Sequence, residues 1–133
     1  MDLSNATKLK EIKCLLFESC ASTFAGILHT ITEKHQDLKQ VSITPYFCRR
    51  RVAPADLFSF PGSRHYWGWD ALDDAIVRLL KLHPNCMKLI QYHSENEVFT
   101  HEDGMCYFMN FFPNAMKVVE KEGIEIEIEW ILC

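Results

Sequence analysis

The chain lacks a run of about 20 uncharged apolar residues, the length a helix needs to cross a bilayer. Charge or proline interrupts every apolar stretch well short of that. It also lacks a basic excess. Fourteen Lys+Arg stand against 18 Asp+Glu, a net charge of −4, which argues against a nucleic-acid binder working by overall charge. There is no Cys-x-x-Cys, Gly-x-Ser-x-Gly, Walker-type loop, Gly-x-Gly-x-x-Gly or His-Glu-x-x-His, so the short motifs of common redox, hydrolase, nucleotide and zinc-peptidase chemistry are missing. Internal repeats and low-complexity tracts are missing too. No basic stretch followed by an apolar run and a small-residue cleavage site opens the sequence, so the expected location is the cytoplasm.

What remains is ordinary globular composition: 133 residues, 48% apolar and 24% charged. That is enough for one domain over 1–133 whose core closes without metal or disulfide help. The six cysteines Cys14, Cys20, Cys48, Cys86, Cys106 and Cys133 allow fifteen pairings, and nothing selects among them. They read as reduced, mostly buried thiols. Charge is uneven. Residues 1–85 carry eleven basic and nine acidic groups (+2), and 86–133 carry three and nine (−6).

Leu9, Ile12, Leu16, Cys20, Phe24, Ile27, Leu28 and Ile31 recur at steps of three and four, which predicts an amphipathic helix over 5–35. On such a helix Cys14 and Cys20 fall on opposed faces and cannot pair. Leu15 and Phe17 lie outside the stripe and leave a homodimer open. Val41, Ile43, Pro45 and Phe47 alternate with polar neighbours and predict a strand, with Pro45 placing it at an edge or distorting it. A second helix is expected from Asp70, with Asp73 three residues on as an imperfect capping box, Leu72, Ile76, Leu79 and Leu80 as buried stripe, and Pro84 as stop. Residues 87–92 read as a buried strand, 101–104 as a turn, and 105–112 as a strand with helix as the alternative. Pro113 and Gly123 bracket a third helix. Ile124, Ile126, Ile128 and Trp130 alternate with Glu125, Glu127 and Glu129, the clearest strand in the chain.

The fold expected from these elements is a single α+β domain: a mixed, mostly antiparallel sheet of four to five strands with about three helices mainly on one face. A doubly wound parallel fold is disfavoured, since it would bury the three glutamates.

The most function-like stretch follows the first expected strand. Arg49, Arg50, Arg51 and Arg64 stand among Phe58, Phe60, Tyr66, Trp67 and Trp69 with one acid, Asp56. Guanidinium forks and rigid rings are the mixture that binding hot spots favour, and such a segment could also stack single-stranded bases. The bland reading is that the tryptophans plug the sheet end and the arginines pair internally. Glu125, Glu127 and Glu129 form an acidic strip that is either a solvated face or a steering surface for a basic partner.

His83, Cys86, His101 and Cys106 supply zinc-type ligands, but at spacings unlike the usual short forms, and neither metal nor cofactor is expected. The leading function is a non-enzymatic protein-binding module, a stoichiometric inhibitor or adaptor in the style of immunity or anti-defence proteins. Arg49, Arg50, Arg51, Arg64, Tyr66, Trp67 and Trp69 would anchor a partner protein, and Glu125, Glu127 and Glu129 would attract its basic surface. The alternatives are a small Cys/His hydrolase or transferase, built on Cys86 or Cys48 with His65, His83 or His101, and a nucleic-acid module using the Arg/aromatic stretch.

Overall fold

The structure is a computed structural model and describes residues 2–16, 20–45, 63–93 and 99–132. In chain order the elements are β1 (Glu11–Leu16), α1 (Ala21–Leu28), β2 (Gln40–Pro45), a single-turn α2 (Ser63–Tyr66), α3 (Trp69–Leu82), β3 (Met87–His93), α4 (His101–Phe111), α5 (Pro113–Glu122) and β4 (Glu127–Leu132). The four strands form one sheet in the order β1-β2-β3-β4, and every neighbouring pair is parallel.

Parallel neighbours need crossovers, and crossovers are nearly always right-handed. Three successive crossovers stepping in one direction therefore lay their helices on the same face. The packing agrees: α1 lies against α3, α3 against α5, and α5 against α4. Alternation along the strands sorts the side chains between this helix layer and the opposite face. In β1, Cys14 and Leu16 are buried while Glu11, Lys13 and Leu15 are exposed. The register sets Val41, Ile43 and Pro45 of β2 beside Ile12, Cys14 and Leu16, and Met87 and Leu89 of β3 continue the same inner rows.

Onto these rows α3 presses Leu72, Ile76, Leu79 and Leu80, α1 presses Ala21, Ala25 and Leu28, and α5 presses Ala115 and Val119. Trp69, fully buried at the start of α3, stacks on Phe111 at 5.3 Å and Phe112 at 5.8 Å between ring centroids. Burying an aromatic of this size is among the larger single contributions to a core.

Polar groups pin the helix layer at its ends. Gly68 precedes α3 with φ +82°, and a Cβ there would sit 2.6 Å from the Ser22 backbone nitrogen, so the entry to α3 requires glycine. Arg78 donates to the Ile31 carbonyl at 2.7 Å, in the turn following α1. The ring of His35, fully buried, accepts from the Thr32 N–H at 3.0 Å through Nδ1 and meets the Leu3 carbonyl at 2.7 Å through Nε2. These partners assign its proton to Nε2 and tie the segment before β1 to the turn after α1.

Several expectations are corrected. The sheet is all parallel, not mostly antiparallel. The glutamate argument against a parallel sheet assumed helices on both faces, whereas the crossovers here place them on one. The helix expected over 5–35 is instead β1, α1 and turns, so Cys14 lies on a strand and Cys20 just ahead of α1. Pro45 ends an interior strand and does not mark an edge. Asp70 does not cap α3. That role falls to Gly68, and Asp73 reaches α5. Residues 101–111 are helix, opened by Thr100 in a capping box with Asp103, so the turn expected at 101–104 is that helix's first turn. Cys106 is exposed on it, not hidden in the core. The strands at 40–45 and 87–93 and the helices at 69–82 and 113–122 fall close to where periodicity and punctuation put them. Among the described residues no helix is long and apolar enough to cross a membrane.

Candidate functional site

No described helix lies on the second face of the sheet, and its side chains can be read row by row from the register. Toward the amino ends of the strands, Lys13, Ser42, Lys88 and Glu127 stand side by side. Toward the carboxyl ends come Leu15 beside Thr44, then Ile90 beside Glu129 and Tyr92 beside Ile131. Ser42 and Thr44 are buried although they face this side. One half of the face is therefore charged. The other is largely apolar, with Leu15 43% exposed at its margin.

The charged half is built around Lys88. Its ammonium lies 2.8 Å from Glu129 and 3.7 Å from Glu127, and Gln40 donates to the second oxygen of Glu127 at 3.2 Å. Hydrogen bonding to Glu129, with the charges of both carboxylates, holds the Lys88 ammonium above its ordinary pKa. Glu127 and Glu129 keep 61% and 45% of their side-chain surface exposed, so they hold the lysine and still present oxygens outward. Glu125, one step before β4, is exposed as well. The acidic strip thus has an internal counter-ion that sequence reading missed. The signal was the alternation of β3, which puts Lys88 on the same face as Ile90 and Tyr92.

Beside this face, at the amino edge of the sheet, opens a hollow of about 800 Å³. Its polar lining is Lys39, Gln40, Asn85, His101, Glu125 and Glu127, and its apolar lining is Cys86, Met87, Met105, Ile124, Ile126 and Ile128. Cys86 and His101 share the hollow, as a thiol enzyme would need. Burial, however, pushes the Cys86 thiol up to about 12, and Cys14 likewise. Thiols so raised stay protonated at neutral pH and are poor nucleophiles.

His83 is engaged elsewhere, its Nε2 2.9 Å from the Thr32 carbonyl. Among the described residues no group of three or more His, Cys, Asp or Glu is placed to hold a metal ion. Comparison with family models, curated proteins and solved structures found no match. The site's chemistry therefore rests on its geometry alone.

The Arg/aromatic anchors are dispersed. Arg49, Arg50 and Arg51, and Cys48 with them, lie outside the described residues. Tyr66 is on the single turn α2 and Trp67 is half-buried against the core. Trp69 is fully buried. Arg64 donates to Asp70 at 2.9 Å, to the Asn110 carbonyl at 3.0 Å and to the Phe111 carbonyl at 2.7 Å. It thus closes the carboxyl end of α4, where cations are favoured. Trp69 is committed to the protein's own interior, and Arg64, 22% of whose side chain stays exposed, is tied to acceptors of its own chain. Glu125, Glu127 and Glu129 remain together at the surface.

Proposed function

We propose that this chain is a non-enzymatic protein-binding module, acting as a stoichiometric inhibitor or adaptor, that docks a basic partner on the sheet face opposite the described helices and on the adjoining amino edge. The observation that carries this reading is a parallel sheet whose described helices all lie on one face. Parallel sheets are almost always covered on both, and the face left over here has an apolar half and a charged half. An apolar centre with a polar rim is the anatomy of a protein interface.

Size decides how much surface is needed. Four strands about 4.8 Å apart and six residues of about 3.3 Å span roughly 380 Å² in plan. That is about half of what one partner contributes to a standard interface. The partner must therefore reach past the face, and the hollow beside it, with Glu125 and Glu127 on its rim, is the adjoining surface. Leu15, Ile90, Tyr92 and Ile131 supply apolar contact. The carboxylates, on the half of the chain with charge −6, steer a cationic surface toward them. The same carboxylates oppose a phosphate backbone, and the raised Cys86 thiol opposes the hydrolase reading.

The test compares wild type with two variants in affinity capture followed by binding kinetics. One variant neutralises the strip (Glu125→Gln, Glu127→Gln, Glu129→Gln) and the other charges the apolar half (Leu15→Asp, Ile131→Asp). The expected result is a basic protein bound one to one. Its association rate should fall about tenfold with the strip neutralised, with reduced salt dependence, and its binding should be lost with the apolar half charged. A captured protein that both variants hold as tightly as wild type, or capture of no basic protein, overturns the proposal.

A further inference from the structure

The two outer strands read alike. β1 is Glu-Ile-Lys-Cys-Leu-Leu and β4 is Glu-Ile-Glu-Trp-Ile-Leu, six residues each. They form the two edges of the sheet and run in the same direction, and no described strand pairs with the outer side of either. Neither contains proline or glycine. An open edge is a template for another strand, so what can add to it is decided by side chains and direction.

We propose that copies of this chain associate head to tail, the β1 edge of one copy pairing in parallel with the β4 edge of the next. Laid end to end, the strands match Ile12 with Ile128, Lys13 with Glu129, Cys14 with Trp130, Leu15 with Ile131 and Leu16 with Leu132. The faces agree, since Lys13 and Leu15 project to the same side of the sheet as Glu129 and Ile131. Charge favours this pairing over two β4 edges, which would crowd four glutamates, because β1 against β4 sets Lys13 beside Glu129. A carboxylate has oxygens for two donors, so Glu129 can keep Lys88 and accept the neighbour's Lys13. The first pair, Glu11 with Glu127, is like-charged. Lys13 at 3.8 Å from Glu11 and Lys88 at 3.7 Å from Glu127 offset that repulsion.

Exposure is a second, independent observation. Among the described residues the exposed large apolar side chains are Leu15, Met109 and Leu132, the last 54% exposed. Two of the three lie near the carboxyl ends of these two strands, on opposite faces of the sheet, and in this register each gains an apolar neighbour: Leu15 beside Ile131 and Leu132 beside Leu16. The contact joins unlike surfaces, so it passes from copy to copy, extending the sheet, until a ring closes or an open array forms. It depends on the strand edges, so it stands or falls apart from the docking reading.

Sedimentation velocity over a rising concentration series is the test. Wild type should grow in mean mass beyond one copy of 15.5 kDa. Lys13→Glu and Glu129→Lys should each remain a single copy, and mixing the two should restore growth, because every edge then meets its opposite charge. Circular dichroism checks that each variant is folded. If Glu129→Lys is not, Lys13→Glu titrated into wild type still decides, since it should join one end and shorten the assemblies. Wild type that stays a single copy throughout, or Lys13→Glu assembling as wild type does, overturns the proposal.

Discussion

Replacing Gly104 by alanine should destabilise the protein although the residue is inside a helix. In an open helix the exchange gains about 1 kcal/mol, because glycine loses more backbone entropy on folding. Gly104 is buried in α4 where that helix lies against β4, and a Cβ there would overlap the Cγ2 methyl of Ile128, with Cγ1 at 3.0 Å and Cβ at 3.1 Å. Ile128 cannot swing aside cheaply, since a β-branched side chain is stiff at χ1 and its strand is held by six paired residues of β3. Overpacking costs roughly 1–3 kcal/mol, and overlap with a methyl that cannot move aside puts this case in the upper part, about 2–3 kcal/mol, against which the gain of about 1 kcal/mol is set. The net loss is then about 1–2 kcal/mol, a fall in Tm of about 3–6 °C for a domain of this size. Calorimetry and urea unfolding of Gly104→Ala would measure it. In an Ile128→Ala background the Cγ2 and Cγ1 clashes are gone and only the Cβ at 3.1 Å remains, so the loss should shrink or turn into a gain of up to about 1 kcal/mol. A Gly104→Ala protein more stable than wild type, or one whose loss is unchanged by Ile128→Ala, would refute the reasoning.

Two further outcomes follow from the polar groups of the helix layer. Arg64→Ala should lower stability by about 1–3 kcal/mol, because the Asn110 and Phe111 carbonyls lose a charged donor. Arg64→Lys should recover only part of this, since one ammonium cannot fork to three acceptors; unaltered urea midpoints in both variants would contradict it. Asp73, buried, accepts from the N–H groups of Asn114 at 3.0 Å and Ala115 at 2.9 Å. Burial raises its carboxyl above the ordinary 3.8, against the lowering pull of those bonds and of Arg64. The folded state therefore holds this proton to higher pH than the unfolded chain does. Its contribution is full below 3.8 and is lost as pH rises through the raised value. The stability difference between wild type and Asp73→Asn should accordingly shrink or turn against wild type over that rise, and a difference moving the other way would contradict the assignment.

The elements legible in the sequence are those with both a period and a stop. α3 has Leu72, Ile76, Leu79 and Leu80 ahead of Pro84, and α5 is bracketed by Pro113 and Gly123. β1 was misread because a spacing of four belongs to both periods: Ile12 and Leu16 lie one helical turn apart, and also two strand repeats apart. Cys14 between them favours the strand, but Leu9 and Cys20 outside them favour the helix, and tertiary pairing with β2 decided. In α4 the capping pair Thr100 and Asp103 and the spacing of Phe108, Phe111 and Phe112 were visible, yet the apolar run also satisfied a period of two. Strand direction is not written in alternation at all. It came out parallel because each crossover had a helix to carry it.

At the site, the glutamate strip was readable from one strand. Lys88 was not, because it joins the strip only through pairing between β3 and β4. Trp69 was misplaced for a related reason: rings beside an irregular segment look available until Phe111 and Phe112, some forty residues on, are folded against them.

The order of strands across the sheet repeats their order along the chain. Each one bonds only to its immediate predecessor and successor, and among the described residues no later strand is inserted between earlier ones. Such a molecule peels from its margins. β1 or β4 can detach while the interior pair β2 and β3 stays joined, so amide exchange should be graded from the outer strands inward instead of uniform.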